Sequence, residues 1–83
     1  MNLMRESKFQ SLIIKKMEDE GWYVIKLITT NRNGIPDLLC VKGNDVKFIE
    51  VKAKNGKLRP LQDYRINELK SYGIKVEVAF AND

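Results

Sequence analysis

The sequence predicts an α/β fold, a mixed sheet flanked by helices, in the order helix, strand, strand, strand, helix, strand. Three observations carry this expectation. Phe9, Leu12, Ile13 and Met17 recur at helical spacing near the start of the chain. Two apolar, β-branched runs meet at Gly43-Asn44, a favoured composition for a tight hairpin loop. Pro60 suits the first position of a second helix, and Val76, Val78 and Phe80 then alternate onto one face of a closing strand.

Taken in order, the first helix is expected from Arg5 to Glu20, with Gly21 stopping it. Trp22 to Ile28 is rich in aromatic and β-branched residues and reads as a strand. Thr29 to Asn33 is polar and reads as a loop. Pro36 to Val41 is expected as the second strand, with its proline at the first position, where a missing N–H is tolerated. A turn over Lys42 to Asp45 leads to a third strand, Val46 to Ala53. Lys54 to Arg59 is a basic loop, the second helix ends before Gly73, and Ile74 to Ala81 is the final strand.

A chain of 83 residues suits a single domain spanning 1–83. Such a short domain buries only about 60% of its unfolded surface, so a partner subunit would help its stability. Fifteen Lys and Arg against 11 Asp and Glu give a net charge of +4, which suits nucleic acid as a partner without proving it. The lone Cys40 excludes an internal disulfide and fits a reducing, cytoplasmic setting; its apolar surroundings mark it as a core residue. No signal peptide and no apolar run near ~20 residues is visible, so neither export nor a membrane span is expected. Without histidine, imidazole acid–base chemistry is excluded, and with only one cysteine besides, a zinc site of the usual type is not expected.

The hairpin brings chemistry together. A Gly43-Asn44 loop sets Lys42 opposite Asp45, Val41 opposite Val46, Leu39 opposite Phe48 and Asp37 opposite Glu50. Lys52, two residues past Glu50, shares that face. Like charges directly opposed are destabilising unless compensated. Lys52 could offset one carboxylate; a divalent cation such as Mg²⁺ would offset both. Glu6 falls on the apolar face of the first helix, where it either compensates the helix dipole or reaches the metal site. Gln62 faces inward from the second helix, either as a satisfied buried amide or as part of the site.

Gly34-Ile35-Pro36-Asp37 followed by Phe48-Ile49-Glu50-Val51-Lys52 resembles the PD-(D/E)xK nuclease pattern. With the tail Lys52-Ala53-Lys54-Asn55-Gly56-Lys57-Leu58-Arg59-Pro60-Leu61-Gln62, the chain resembles the VRR-NUC family of virus-type replication–repair nucleases, in its stand-alone phage or bacterial form. The resemblance implies a restriction-endonuclease-like core. It implies Asp37, Glu50 and the Val51 carbonyl as ligands of Mg²⁺ or Mn²⁺, with Lys52 as the catalytic lysine. It implies that Glu6 supports the metal site, as an outer group or toward a second metal, and that Gln62 orients the lysine or a water. Arg59 departs from the small polar residue more usual at its position.

The expected activity is therefore metal-dependent hydrolysis of a DNA phosphodiester, leaving a 5′-phosphate and a 3′-hydroxyl. The cation would polarise the phosphate and acidify a water, and Lys52 would stabilise charge in the transition state. Arg32, Lys54, Lys57 and Arg59 are expected to contact DNA phosphates. The expected substrate is branched DNA such as a four-way junction, met by a homodimer in DNA repair, with exposed apolar residues at Trp22-Tyr23 or on the second helix at Tyr64 as interface candidates. No membrane or small-molecule cofactor is expected as a partner. Alternatives are a monomeric flap or splayed-arm nuclease, a restriction-like or RNA-directed nuclease, and a non-catalytic nucleic-acid-binding module.

Overall fold

The computed structural model describes residues 5–82. Its elements run α1 (Glu6–Asp19), β1 (Tyr23–Lys26), β2 (Leu38–Lys42), β3 (Asp45–Lys52), α2 (Pro60–Ser71) and β4 (Lys75–Phe80). The four strands form one sheet in the order β1-β2-β3-β4, antiparallel up to β3 and parallel between β3 and β4. The sheet is thus mixed, as expected, because a helix returns the chain to lay β4 alongside β3.

The hairpin register is the one the loop composition implies as far as Leu38 and Ile49, where the ladder ends short of the expected Asp37–Glu50 pair. Lys42 faces Asp45, Val41 faces Val46 and Leu39 faces Phe48. Gly43 has φ +61°, the left-handed backbone that a two-residue hairpin loop requires. A strand start and a strand end differ from expectation on either side of the β1–β2 loop. β2 begins at Leu38 and not at Pro36, and β1 stops at Lys26 and not at Ile28. The two differences share a cause. Proline has no N–H to give the ladder, so β1 loses its partner there. The last tie is Leu27 N–H donating to the Asp37 carbonyl at 2.8 Å.

Alternation sends Leu38, Cys40, Ile49 and Val51 to one face, where they form the buried core with Met17 of α1. Phe9, Ile13, Ile14, Trp22, Val24 and Ala79 pack around them. Burial pushes the Cys40 thiol pKa up, in keeping with its role as a small core residue. Trp22, expected as an exposed interface candidate, is instead half-buried against this core with the Lys47 ammonium 4.7 Å from its ring centre. The opposite sheet face carries Leu39, Val41, Val46, Phe48, Glu50 and Lys52, and α2 meets it through Gln62. Among the described residues no helix is long and apolar enough to cross a membrane.

Candidate active site

The chain enters the site through a constrained loop. Gly34 has φ +83°, and a Cβ there would lie 2.8 Å from Leu61 Cγ on α2. Only glycine combines that backbone with so close an approach. Arg65, one turn further along α2, donates from Nε to the Asn33 carbonyl at 2.8 Å and fastens the same loop. Pro36, fully buried, then delivers Asp37. Asp37 is held twice. Its carbonyl accepts from Leu27, and its Oδ2 accepts the Val51 N–H at 2.8 Å.

Across from it, Glu50 is 2% exposed and Lys52 7%. Lys52 Nζ lies 3.4 Å from Glu50 Oε2, and Gln62 Nε2 donates to the same oxygen at 3.3 Å. Gln62 Oε1 accepts the Arg59 N–H at 2.9 Å, so both ends of the amide are used. A glutamine at the third position of a helix makes this bond as half of a capping box. It thereby points its NH₂ group at Glu50.

Burial pushes the Glu50 carboxyl pKa up to about 7; the neighbouring Asp37 charge pushes in the same direction, and Lys52 only partly offsets them. Two acidic groups are therefore brought together, Glu50 buried and Asp37 half-buried. Among the described residues no three His, Cys, Asp or Glu side chains converge as a cage for an ion. The donor set is two carboxylates at the end of the β2–β3 hairpin away from its turn. That set fits Mg²⁺ or Mn²⁺, which accept one or two protein carboxylates and fill the remaining positions with water and phosphate oxygens.

A family model described as the VRR-NUC domain matches residues 1–83. The chain belongs to the VRR-NUC family. A solved structure titled "VRR_NUC domain" is similar at a TM-score of 0.79, with 29% identity over 92% of this chain and 84% of that one. No curated protein matches the chain in sequence. As a VRR-NUC domain the chain is a hydrolytic nuclease of the PD-(D/E)xK type with DNA as substrate, and nucleases of that type generally use divalent metals.

The VRR-NUC fold brings Asp37, Glu50, Lys52 and Gln62 together, as expected from their placement on hairpin and helix. Val51 enters through its N–H, which Asp37 holds. Gln62 differs in detail: its partner is Glu50 and not Lys52, because the cap bond to Arg59 fixes which end of the amide faces inward. Glu6 is exposed at the first turn of α1, and its Oε1 accepts the Ala53 N–H at 3.3 Å. It ties the helix start to the end of β3 at the rim of the site. Arg32, Lys54, Lys57 and Arg59 are all exposed, on the two loops that lead into Asp37 and away from Lys52. Arg65 was not among the residues the sequence singled out. An arginine on a helix gives no signal of its backbone partner 32 residues away; Gly34, by contrast, carried its signal as the glycine preceding Ile35-Pro36-Asp37.

Proposed function

We propose that this VRR-NUC domain is a Mg²⁺- or Mn²⁺-dependent, structure-specific DNA endonuclease that acts as a homodimer on branched DNA, four-way junctions above all. The observation that carries the catalytic part is the juxtaposition of buried Glu50 with Asp37 and Lys52 at the open end of the hairpin. Simple binding of DNA phosphates needs cations at the surface, not a buried acid beside a second carboxylate.

Asp37, Glu50 and the Val51 carbonyl would hold the cation, with Glu6 supporting them from the rim or toward a second ion. When bound, it would supply Lewis-acid polarisation of the scissile phosphate and a more acidic water. Lys52, paired with Glu50, would stabilise the charge that grows on the phosphate in the transition state. Gln62 holds Glu50 in position. Arg32, Lys54, Lys57 and Arg59 would grip backbone phosphates, which gives affinity without sequence readout.

A symmetry argument supports the dimer. One such site cuts one strand at a time, whereas a two-fold dimer presents two sites to matching strands of a two-fold symmetric junction. Tyr23 and Tyr64, 71% and 58% exposed, are apolar surface that such an interface could cover. A gel assay tests the whole reading, with duplex, flap, splayed-arm and four-way junction DNA in Mg²⁺, Mn²⁺ or EDTA. The expected result is paired cuts in the junction with either metal and none in EDTA. Binding without cleavage under every condition would make the chain a non-catalytic module. Light scattering that finds a monomer with and without junction DNA, together with single-strand cuts, would replace the junction reading with flap or splayed-arm cleavage.

A further inference from the structure

A hollow of about 210 Å³ lies between the β1–β2 loop and the C-terminal half of α2. Arg32, Ile35, Glu68, Leu69 and Tyr72 line it. Sites that enclose a drug-sized ligand run to roughly 300–1,000 Å³, so this one suits a single flat ring system. Its chemistry is mixed in a particular way. Ile35 and Leu69 supply apolar surface, and Tyr72, 78% exposed, brings an aromatic ring to the wall. Arg32 brings donors. Glu68 brings an acceptor, already steadied at one oxygen by Arg65 at 3.1 Å.

A carboxylate in the wall disfavours a bare phosphate. An aromatic face, an apolar floor, a guanidinium and a carboxylate together match a nucleobase, which needs stacking plus edge donors and acceptors. The position agrees. Ile35 is two residues from Asp37, at most about 7 Å of chain. Successive nucleotides of one strand rise about 3.4 Å, so a base held here lies within a few nucleotides of the proposed cut. A second hollow, lined by Thr29, Thr30 and Asn33 among others, shares Arg32 and Ile35 with the first and supplies polar groups for the adjoining backbone.

We infer that the Arg32–Tyr72 hollow receives one unstacked nucleobase of the DNA strand beside the cleavage site, with Tyr72 as the stacking platform. A base inside an intact duplex cannot enter such a hollow without first leaving the stack, which costs energy. Branch points and flaps present such bases at lower cost. The hollow therefore selects branched over fully paired DNA. This rests on the nuclease reading above and names the feature of the substrate that the site recognises.

The test is binding in EDTA, so that cleavage plays no part. The probe is a four-way junction or flap with 2-aminopurine at an unpaired or branch-point position, compared with the same base in a continuous duplex. The wild-type chain should quench the branch-point fluorophore by stacking. Tyr72→Ala should abolish the quenching and weaken branched-DNA binding by about tenfold, the order that one base–aromatic stack contributes, with duplex affinity changed less than about twofold. Tyr72→Phe should behave as wild type, which separates stacking from loss of the hydroxyl. An unquenched probe with the wild-type chain, quenching that survives Tyr72→Ala, or equal losses on branched and paired DNA would each overturn the assignment. Absence of cleavage in the metal panel would overturn the nuclease reading, and with it the placement beside a cut, without altering the quenching result, so the two failures are told apart.

Discussion

The β2–β3 hairpin has two faces made of alternating residues, and they differ in nearly every respect. Leu38, Cys40, Ile49 and Val51 face α1 and are no more than 3% exposed. On the other face Leu39, Val41 and Phe48 are only partly covered, and Val46 is 43% exposed. That face nevertheless ends in Glu50 and Lys52, both buried. Apolar packing on one side fixes the register of the strands. The fixed register then holds acidic groups together that would otherwise move apart. Stability and chemistry are thus assigned to opposite sides of the same two strands.

The largest expected effect tests whether the α1 face carries stability alone. Ile49→Ala removes buried methylenes and should cost about 2–5 kcal/mol. For a domain this small that lowers Tm by more than about 10 °C, measurable by thermal circular dichroism. Cleavage per folded molecule, measured well below the transition, should stay close to wild type. A loss of cleavage as deep as that of a Lys52 variant would show that the two faces are not separable.

Lys52→Ala is the reverse case. The fold should persist and DNA affinity should change little, while kcat falls by about 10²–10³, as when a transition-state donor is removed. Single-turnover kinetics with matched binding isotherms check this. Cleavage at the parental rate would reject the assignment of Lys52.

Much of this division was legible in the residues. Gly43-Asn44 implied the hairpin register, and the register implied that Asp37 and Glu50 would meet. Cys40 showed as a core residue from its apolar neighbours, and its burial agrees. What could not be read was how the meeting is made. Asp37 leaves the ladder because Pro36 has no N–H, and its carboxylate then takes the Val51 N–H. That exchange depends on Gly34 passing against Leu61 and on Arg65 reaching Asn33, both contacts distant in sequence. Gln62 could be placed on an inward face by periodicity, but its partner depends on a cap bond that periodicity does not report.

The charged face should also give a pH signature. The Glu50 pKa is near 7 in the folded chain against an ordinary 4.5, so the folded state holds this proton more tightly than the unfolded state does. Its contribution to stability is fully present below pH 4.5 and is lost as pH rises through about 7. The loss is about 3 kcal/mol for a shift of this size. Urea unfolding of the metal-free protein should therefore show Glu50→Gln more stable than wild type at pH 8 and nearly equal at pH 4. Added Mg²⁺ should shrink the difference at pH 8, since a cation favours the ionised carboxylate. Equal stability of the two proteins at pH 8 without metal would mean that Glu50 is not held at a cost.

The smallest effect concerns Gln62, and it distinguishes two roles that coincide in one side chain. Its Oε1 caps α2 at Arg59, and its Nε2 bonds Glu50. Gln62→Ala removes both and should lower the cleavage rate by roughly fivefold, about the 1 kcal/mol of a typical hydrogen bond. Gln62→Glu keeps the shape and the cap acceptor but replaces the inward donor with a further acid. If the cap were all that mattered, Gln62→Glu would match wild type. If the bond to Glu50 matters, Gln62→Glu should raise the Glu50 pKa further, because like charges disfavour ionisation. The acid limb of the pH–rate profile should then move to higher pH, with helix content unchanged. A profile that overlays wild type would reduce Gln62 to a helix cap and leave Glu50 held by Lys52 alone.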